Sequence, residues 1–305
     1  MKNGTCWTDD RGELIQAHGG MIARFHDTWY WYGENKNAEN SVRNGKQLTR
    51  VDVIGISCYS SQNLTDWHFE GLALASVPED ETHPLHPSRV CERPKVFYHA
   101  ASRQYVMWFH ADDADYRFAQ AGCAVADRPE GPFRFLYAKL PNRRDCRDMT
   151  LYCDAAEGRM YLVHSGDWNK TLYFSQLTED GLDFTGVCHA AMIDQEREAP
   201  ALFWQNGLHY CITSGCTGWQ PNSALYATTT HLSNGMKLMD NPCEGPDARR
   251  TFGGQSTWVF EANGQRYLML DHWKPMDLKH SGYSIVPMTV DEGRLTVRWT
   301  DDFLP

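Results

Sequence analysis

Three carboxylic acids and one amide recur at nearly even spacing in this chain: Glu92, Asp148, Glu198 and Gln255, separated by 56, 50 and 57 residues. Each stands just before a short run with strand character. Glu198 shows the pattern best, because Ala199, Pro200 and the apolar Ala201-Leu202-Phe203 follow it. Proline has no N–H to give to a ladder, so Pro200 belongs among the first residues of a strand. Glu198 then sits at the mouth of a sheet against an apolar wall, where lost hydration disfavours its charged form and raises its pKa. A carboxyl group that keeps its proton near neutral pH can act as a general acid. Several acids converging on one polar hollow suit the cleavage of a glycosidic bond. One carboxyl protonates the leaving oxygen, and a second group serves the water or the sugar carbon. Taken alone, Glu198 also reads as a surface acid at a strand start, and the set of acids as a solvated ring of charge or a cation site. The readings differ in whether these residues share one pocket.

The elements that would bring them together show in a second repeat. A turn followed by an aromatic strand appears at Asp27–Gly33, Arg103–Phe109, Gly158–Val163, Asn206–Ile212 and Asn263–Met269, with tyrosines at 30, 105, 161, 210 and 267. A strand-like run precedes each copy and another follows it. Turn phrases such as Asn63–Trp67 and Arg128–Phe133 lead on to a fourth. Helical periodicity is almost absent, which points to an all-β chain. Five copies at about fifty-residue spacing predict a five-bladed β-propeller. The long first gap is a polar insertion, Asn35–Val53, expected as a loop on one face. Even spacing without a linker argues against a β-sandwich or two small β domains, so residues 1–305 read as a single propeller. The first strand of each blade should line the central channel. That puts Gln16-Ala17-His18, Glu92, Asp148, Glu198 and Gln255 at equivalent places around one pocket.

Composition narrows the partners. Hydrophobic residues make up 42% and charged residues 22%, as in a globular protein with a core. The net charge of −10 and the lack of a Lys/Arg run argue against nucleic acid. No apolar window is long enough to span a membrane. Met1–Cys6 lacks the apolar segment of a signal peptide. A full-length chain is therefore expected in the cytoplasm, and a chain that has lost its signal peptide in the periplasm or outside the cell. The 10 cysteines include no Cys-x-x-Cys pair and read as reduced core residues. The 13 histidines do not fall at ligand spacing with them, so no metal site and no cofactor are expected. A calcium or sodium ion in the channel of the propeller is the one exception left open. Nothing in the sequence marks an oligomeric state.

At these residues the chain resembles glycoside hydrolase family 43, in its exo-β-1,3-galactanase-like branch. The resemblance runs through Ala17-His18-Gly19-Gly20, Tyr30–Glu34, Glu92–Val96 and Trp108-Phe109-His110. It continues through Arg147–Leu151, Arg197–Ala201, Thr213–Trp219 and Gly254–Thr257. It implies a five-bladed propeller and exo-acting hydrolysis with inversion. In the branch, the Glu matching Glu198 is the general acid, the residue matching Asp148 tunes and orients it, and the Glu matching Glu92 holds the terminal galactose. The family takes its base, an Asp, from the first blade, where this chain has Gln16-Ala17-His18 and no carboxylate. The branch shares that gap, and the residue matching Gln255 has been assigned the water. An amide is a very weak base, so Glu92 or another acid is the alternative.

Glu34, Arg93, Tyr116 and Thr217 match positions that bind the terminal sugar. Trp168 and Asn169 lie in a polar loop within reach of it. Trp219 and Trp273 either stack on a sugar face or pack between blades, and His18 either meets the sugar or braces the first strand. No carbohydrate-binding module lies within residues 1–305, which favours soluble oligosaccharides over polymer surfaces. The leading expectation is an inverting exo-glycosidase that releases terminal β-1,3-linked galactose. A furanosidase acting on arabinofuranose or galactofuranose on the same scaffold is the first alternative. A non-catalytic sugar-binding propeller is the second, favoured by the missing first-blade base and opposed by the three carboxylates.

Overall fold

The computed structural model describes residues 1–305 as five β-sheets around a central channel. Blade 1 holds β1 (His18–Phe25) and β2 (Thr28–Glu34). A small hairpin, β3 (Val42–Arg43) and β4 (Lys46–Gln47), interrupts it before β5 (Gly55–Ser61) and β6 (His68–Ala75) complete the sheet. Blade 2 holds β7 (Val90–His99), β8 (Gln104–Asp112), β9 (Gln120–Ala126) and β10 (Arg134–Lys139). Blade 3 holds β11 (Met149–Asp154), β12 (Arg159–Gly166), β13 (Thr171–Leu177) and β14 (Phe184–Ala191). Blade 4 holds β15 (Arg197–Gln205), β16 (Leu208–Gly215), β17 (Leu225–Thr229) and β18 (Lys237–Leu238). In blade 5 a short β19 (Cys243–Glu244) runs parallel to β23 (Arg294–Arg298), outside β20 (Gln255–Ala262), β21 (Gln265–His272) and β22 (Gly282–Asp291). The expected all-β five-bladed propeller is therefore the fold, with each tyrosine of the repeat in the second strand of its blade.

The first strands β1, β7, β11, β15 and β20 pack against one another in a closed ring. Aromatic side chains fill the space between blades. Tyr32, Met107, Phe109 and Phe133 join blades 1 and 2, while Trp7, Trp31, Trp67, Tyr283 and Phe303 join blades 5 and 1. Burying each such side chain stabilises the fold by about 2–3 kcal/mol. The amino-terminal segment clasps this last seam. The Asn3 side chain donates to the Ile285 carbonyl at 3.1 Å and accepts its N–H at 2.9 Å. No helix is long and apolar enough to cross a membrane.

All ten cysteines are free, but only Cys58, Cys91, Cys123, Cys146 and Cys211 are core residues; Cys6, Cys188, Cys216 and Cys243 are half-buried and Cys153 is exposed. The insertion is a loop with a two-residue-stranded hairpin, and its second half, Leu48 to Val53, together with Ile54 and Gly55 at the start of β5, forms one wall of the cavity at the mouth of the channel. The ion left open for the channel has no support, since no group of His, Cys, Asp and Glu side chains could hold a metal. Instead the fully buried Lys95 ammonium donates to the carbonyls of Gly19 at 2.9 Å and Arg93 at 3.3 Å. Burial, and then the charge of Arg93, lower its pKa to about 7.

Candidate active site

Three of the ring strands carry the same backbone device. The register shifts between His18 and Met21 in β1, between Glu92 and Lys95 in β7, and between Glu198 and Ala201 in β15. At each shift one residue takes a left-handed φ: Gly19 at 59°, Arg93 at 56° and Ala199 at 53°. Such bulges bend a strand and re-aim the neighbouring side chain. In blades 2 and 4 a proline, Pro94 or Pro200, follows the bulged residue, so no ladder N–H is lost there. The bulges turn Glu92 and Glu198 toward the cavity. Asp148 reaches it without a bulge, one residue ahead of β11. Gln255 is the first residue of β20.

A cavity of about 570 Å³ opens above the ring, and Glu34, Glu92, Arg93, Asp148, Glu198 and Gln255 all line it. Arg93 is its hub. Its Nε and Nη2 hold Asp148 Oδ1 and Oδ2 at 3.0 and 2.8 Å, Nη2 also reaches Gln255 Oε1 at 2.7 Å, and Nη1 donates to the Ser256 carbonyl. Gln255 is saturated. Its oxygen accepts from Arg93 and from Trp273 Nε1 at 3.1 Å, and its amide nitrogen donates to Glu198 Oε1 at 3.1 Å and Ser214 Oγ at 3.0 Å. A carboxamide offers two donors and two lone pairs, so none is left over. Asn169 Nδ2 donates to the other Glu198 oxygen at 3.3 Å.

These surroundings divide the carboxyl groups. Burial and then the negative charge of Asp148 raise the Glu198 pKa to about 8, against weaker opposing effects of Arg93, the Cys216 thiol and Gln255. Glu198 is thus an acid at neutral pH. Burial also pushes Glu92 upward, but hydrogen bonds and charge from His110, with help from Lys36 and Tyr116, hold it down at about 2. The Tyr116 hydroxyl donates to Glu92 at 2.8 Å. His110 Nδ1 lies 3.1 Å from the other oxygen, and its Nε2 is backed by Asp112 at 3.1 Å. Burial would lower His110, yet its bonds to Asp112 and Glu92 raise it to about 9. Two carboxyl groups of one cavity are thereby set to opposite states, one protonated and one ionised.

The structure brings together Glu92, Asp148, Glu198, Gln255, Glu34, Arg93, Tyr116, Asn169, Trp219 and Trp273 in the cavity wall. Blade 1 departs from the expected pattern. His18 is fully buried and does not line the cavity, with Nδ1 3.2 Å from Asp271 and Nε2 3.0 Å from the Tyr283 hydroxyl, contacts that brace the first strand. Gln16 is buried too, bonded to Lys279 and Lys36. The reason is Gly19. Where blades 2 and 4 carry a side chain at the bulge, blade 1 carries none, and a Cβ there would lie 2.3 Å from Glu34 Oε1. Glu34, paired with His18 across β1 and β2, fills that space, accepts the Arg93 N–H at 3.1 Å and pairs with Lys36 at 2.9 Å. Blade 1 thus supplies its carboxylate from the second strand.

Thr217 is a second departure. It lies outside the cavity lining, and its hydroxyl is held within its own loop by Gln220 and Asn222. Sequence reasoning gave no role to His110 and Asp112, which hold Glu92, or to Lys36, Ser214 and Cys216, although His110, Ser214 and Cys216 lie in phrases that carry the resemblance. The alternation His110-x-Asp112 at a strand end was the one available signal for the first pair.

The family model for glycosyl hydrolases family 43 matches residues 18–245. The chain belongs to that family and is a glycoside hydrolase. Among solved structures, a family 43 β-1,3-galactosidase with galactodeoxynojirimycin matches with a TM-score of 0.90 at 33% identity, covering 99% of each chain. An exo-β-1,3-galactanase from Phanerochaete chrysosporium with β-1,3-galactotriose matches at 0.88 and 28% identity, over 97% of this chain and 66% of that one. The exo-β-1,3-galactanase from Clostridium thermocellum matches at 0.86 and 29%, over 99% and 65%. A comparison with proteins of curated function found no match.

Proposed function

We propose that this enzyme is an inverting exo-glycosidase that releases terminal β-1,3-linked galactose from galactan or galacto-oligosaccharides. One observation carries the mechanism: Glu198 is raised to about 8 beside Asp148, while Glu92 in the same cavity is held at about 2. Glu198 donates its proton to the glycosidic oxygen as the bond from that oxygen to the anomeric carbon breaks. Asp148 keeps that proton in place by its charge, and Arg93 fixes Asp148. Gln255 and Asn169 orient the Glu198 carboxyl from either side. Water adds to the opposite face of the sugar ring, and its proton passes to a base. Gln255 has no lone pair to offer without breaking a bond to Arg93 or Trp273. Glu92 is ionised and each of its oxygens accepts one protein hydrogen bond, from Tyr116 or His110, so of the two groups it is the one with lone pairs left for the proton of the water; held at about 2, it is a weaker base than an ordinary carboxylate. Glu34, Arg93 and Tyr116 complete the seat of the terminal sugar.

The galactose specificity rests on the likeness, over the full length of this chain, to a structure described as a β-1,3-galactosidase. Product analysis on β-1,3-galactobiose, compared with aryl arabinofuranoside and aryl galactofuranoside, tests it. Galactose as the sole product of the disaccharide, and galactose appearing first as the α-anomer by proton NMR when it is released from an aryl β-galactoside, are the expected results. Cleavage of a furanoside alone overturns the substrate, and an initial β-anomer overturns inversion.

A further inference from the structure

Asp167, Trp168 and Asn169 have φ values of 52°, 60° and 64°, three consecutive non-glycine residues in the left-handed region. Such strain persists only where the surroundings impose it, and it gathers at functional sites. Here the Asp145 carboxylate accepts the N–H groups of Asp167 at 2.6 Å and Trp168 at 3.0 Å. The Tyr173 hydroxyl donates to Asp167 at 2.5 Å. The turn holds Asn169 on Glu198 and pushes Trp168 into solvent. Trp168 is 70% exposed, more than any other aromatic side chain of the chain. Its indole lies on the guanidinium of Arg147, 4.3 Å from the ring centroid. Arg147 lines the cavity, is itself buried, and is anchored to the Tyr116 carbonyl at 3.0 Å. One face of the indole is therefore fixed and the other is free.

We propose that Trp168 is the platform for the departing part of the substrate, stacking on the apolar face of a galactosyl unit beyond the scissile bond. This rests on the reading of Glu198 as the acid. The proton leaves Glu198 toward the glycosidic oxygen, so the departing sugar lies just past that carboxyl. Asn169 touches the carboxyl, and Trp168 is the next residue along a rigid turn. A β-galactosyl ring presents the C–H groups of carbons 3, 4 and 5 on one face, which suits a flat aromatic surface. The cation beneath the indole holds the ring in place without covering its outer face. Trp168 thereby sets the preference for oligosaccharide over small leaving groups.

The test compares wild type, Trp168→Ala and Trp168→Phe on β-1,3-galactotriose and on β-galactosyl fluoride, whose leaving group is too small to reach the platform. The Ala variant should lose about tenfold in kcat/KM on galactotriose and less than twofold on the fluoride, and Phe should restore most of the loss. Equal losses on both substrates would mean that Trp168 only props Arg147, and no loss on either would mean that it binds nothing. Both results overturn the inference while leaving the galactosidase reading intact. Wild type that cleaves neither substrate overturns the two together.

Discussion

Arg93 and Asp148 form a two-point ion pair across blades 2 and 3, with both carboxylate oxygens held by the guanidinium fork at 3.0 and 2.8 Å. The fork is rigid, always charged and matched to a carboxylate. It places a negative group beside Glu198 at a set position, and it also brings its own positive charge nearby. Of these opposing effects on Glu198 the negative one is the larger.

Replacing Asp148 by Asn therefore removes the charge that raises Glu198 and leaves Arg93 unopposed. The basic limb of kcat/KM against pH, which should fall near 8 in the wild type, should move down by about one unit or more in this variant. Unfolding should also become easier by about 3 kcal/mol, because Arg93 is left buried without its anion. A pH–rate profile and a urea titration check the two effects. A basic limb that stays at 8 would mean that burial alone sets the acid.

Glu198→Gln keeps the shape of the acid and removes its proton. On β-1,3-galactobiose the rate should fall by about 1,000-fold or more, and on an aryl galactoside with an acidic phenol by much less, since that leaving group needs little protonation. Steady-state rates on the two substrates decide the matter. Similar losses on both would remove Glu198 from the role of acid.

The same variant should be more stable than wild type at high pH. The folded-state pKa of about 8 exceeds the ordinary value of 4.5, so folding binds a proton there between these limits. Wild type keeps this contribution below pH 4.5 and loses it as pH rises through 8, by on the order of 4 kcal/mol at pH 9. Glu198→Gln has no such loss. Thermal melts should show a Tm gap in favour of the variant that opens from pH 5 and levels off above 8.

The base can be separated from the amide by azide. Glu92→Ala should be rescued on a β-galactoside, giving the α-glycosyl azide, while Gln255→Ala should not. Rescue of the Gln255 variant alone would return the water to the amide.

His18→Ala probes the first blade. It strips a partner from the buried Asp271 and from Tyr283, and should cost about 2–4 kcal/mol of stability. KM and kcat below the melting range should change little, because His18 does not line the cavity. Thr217→Ala should leave both activity and stability close to wild type.

The repeat and its period come from local chemistry, which is why the propeller was legible in the sequence. Turns need Asn, Asp and Gly, inter-blade seams need rings such as Trp31 and Tyr161, and each blade repeats those demands. Glu92, Asp148, Glu198 and Gln255 were legible for the same reason, since an equivalent place in each blade points at the same axis. The failure of blade 1 was not legible by spacing. Whether the first-strand residue or its cross-strand neighbour supplies the carboxylate depends on what fits beside Gly19, and only Glu34 packed against Arg93 shows it. Protonation states were likewise decided by tertiary structure. Burial and the position of Asp148 make Glu198 an acid, His110 and Tyr116 make Glu92 an anion, and four hydrogen bonds occupy Gln255. The order of residues determined which groups meet at the channel mouth; their charges follow from distances that no linear pattern encodes.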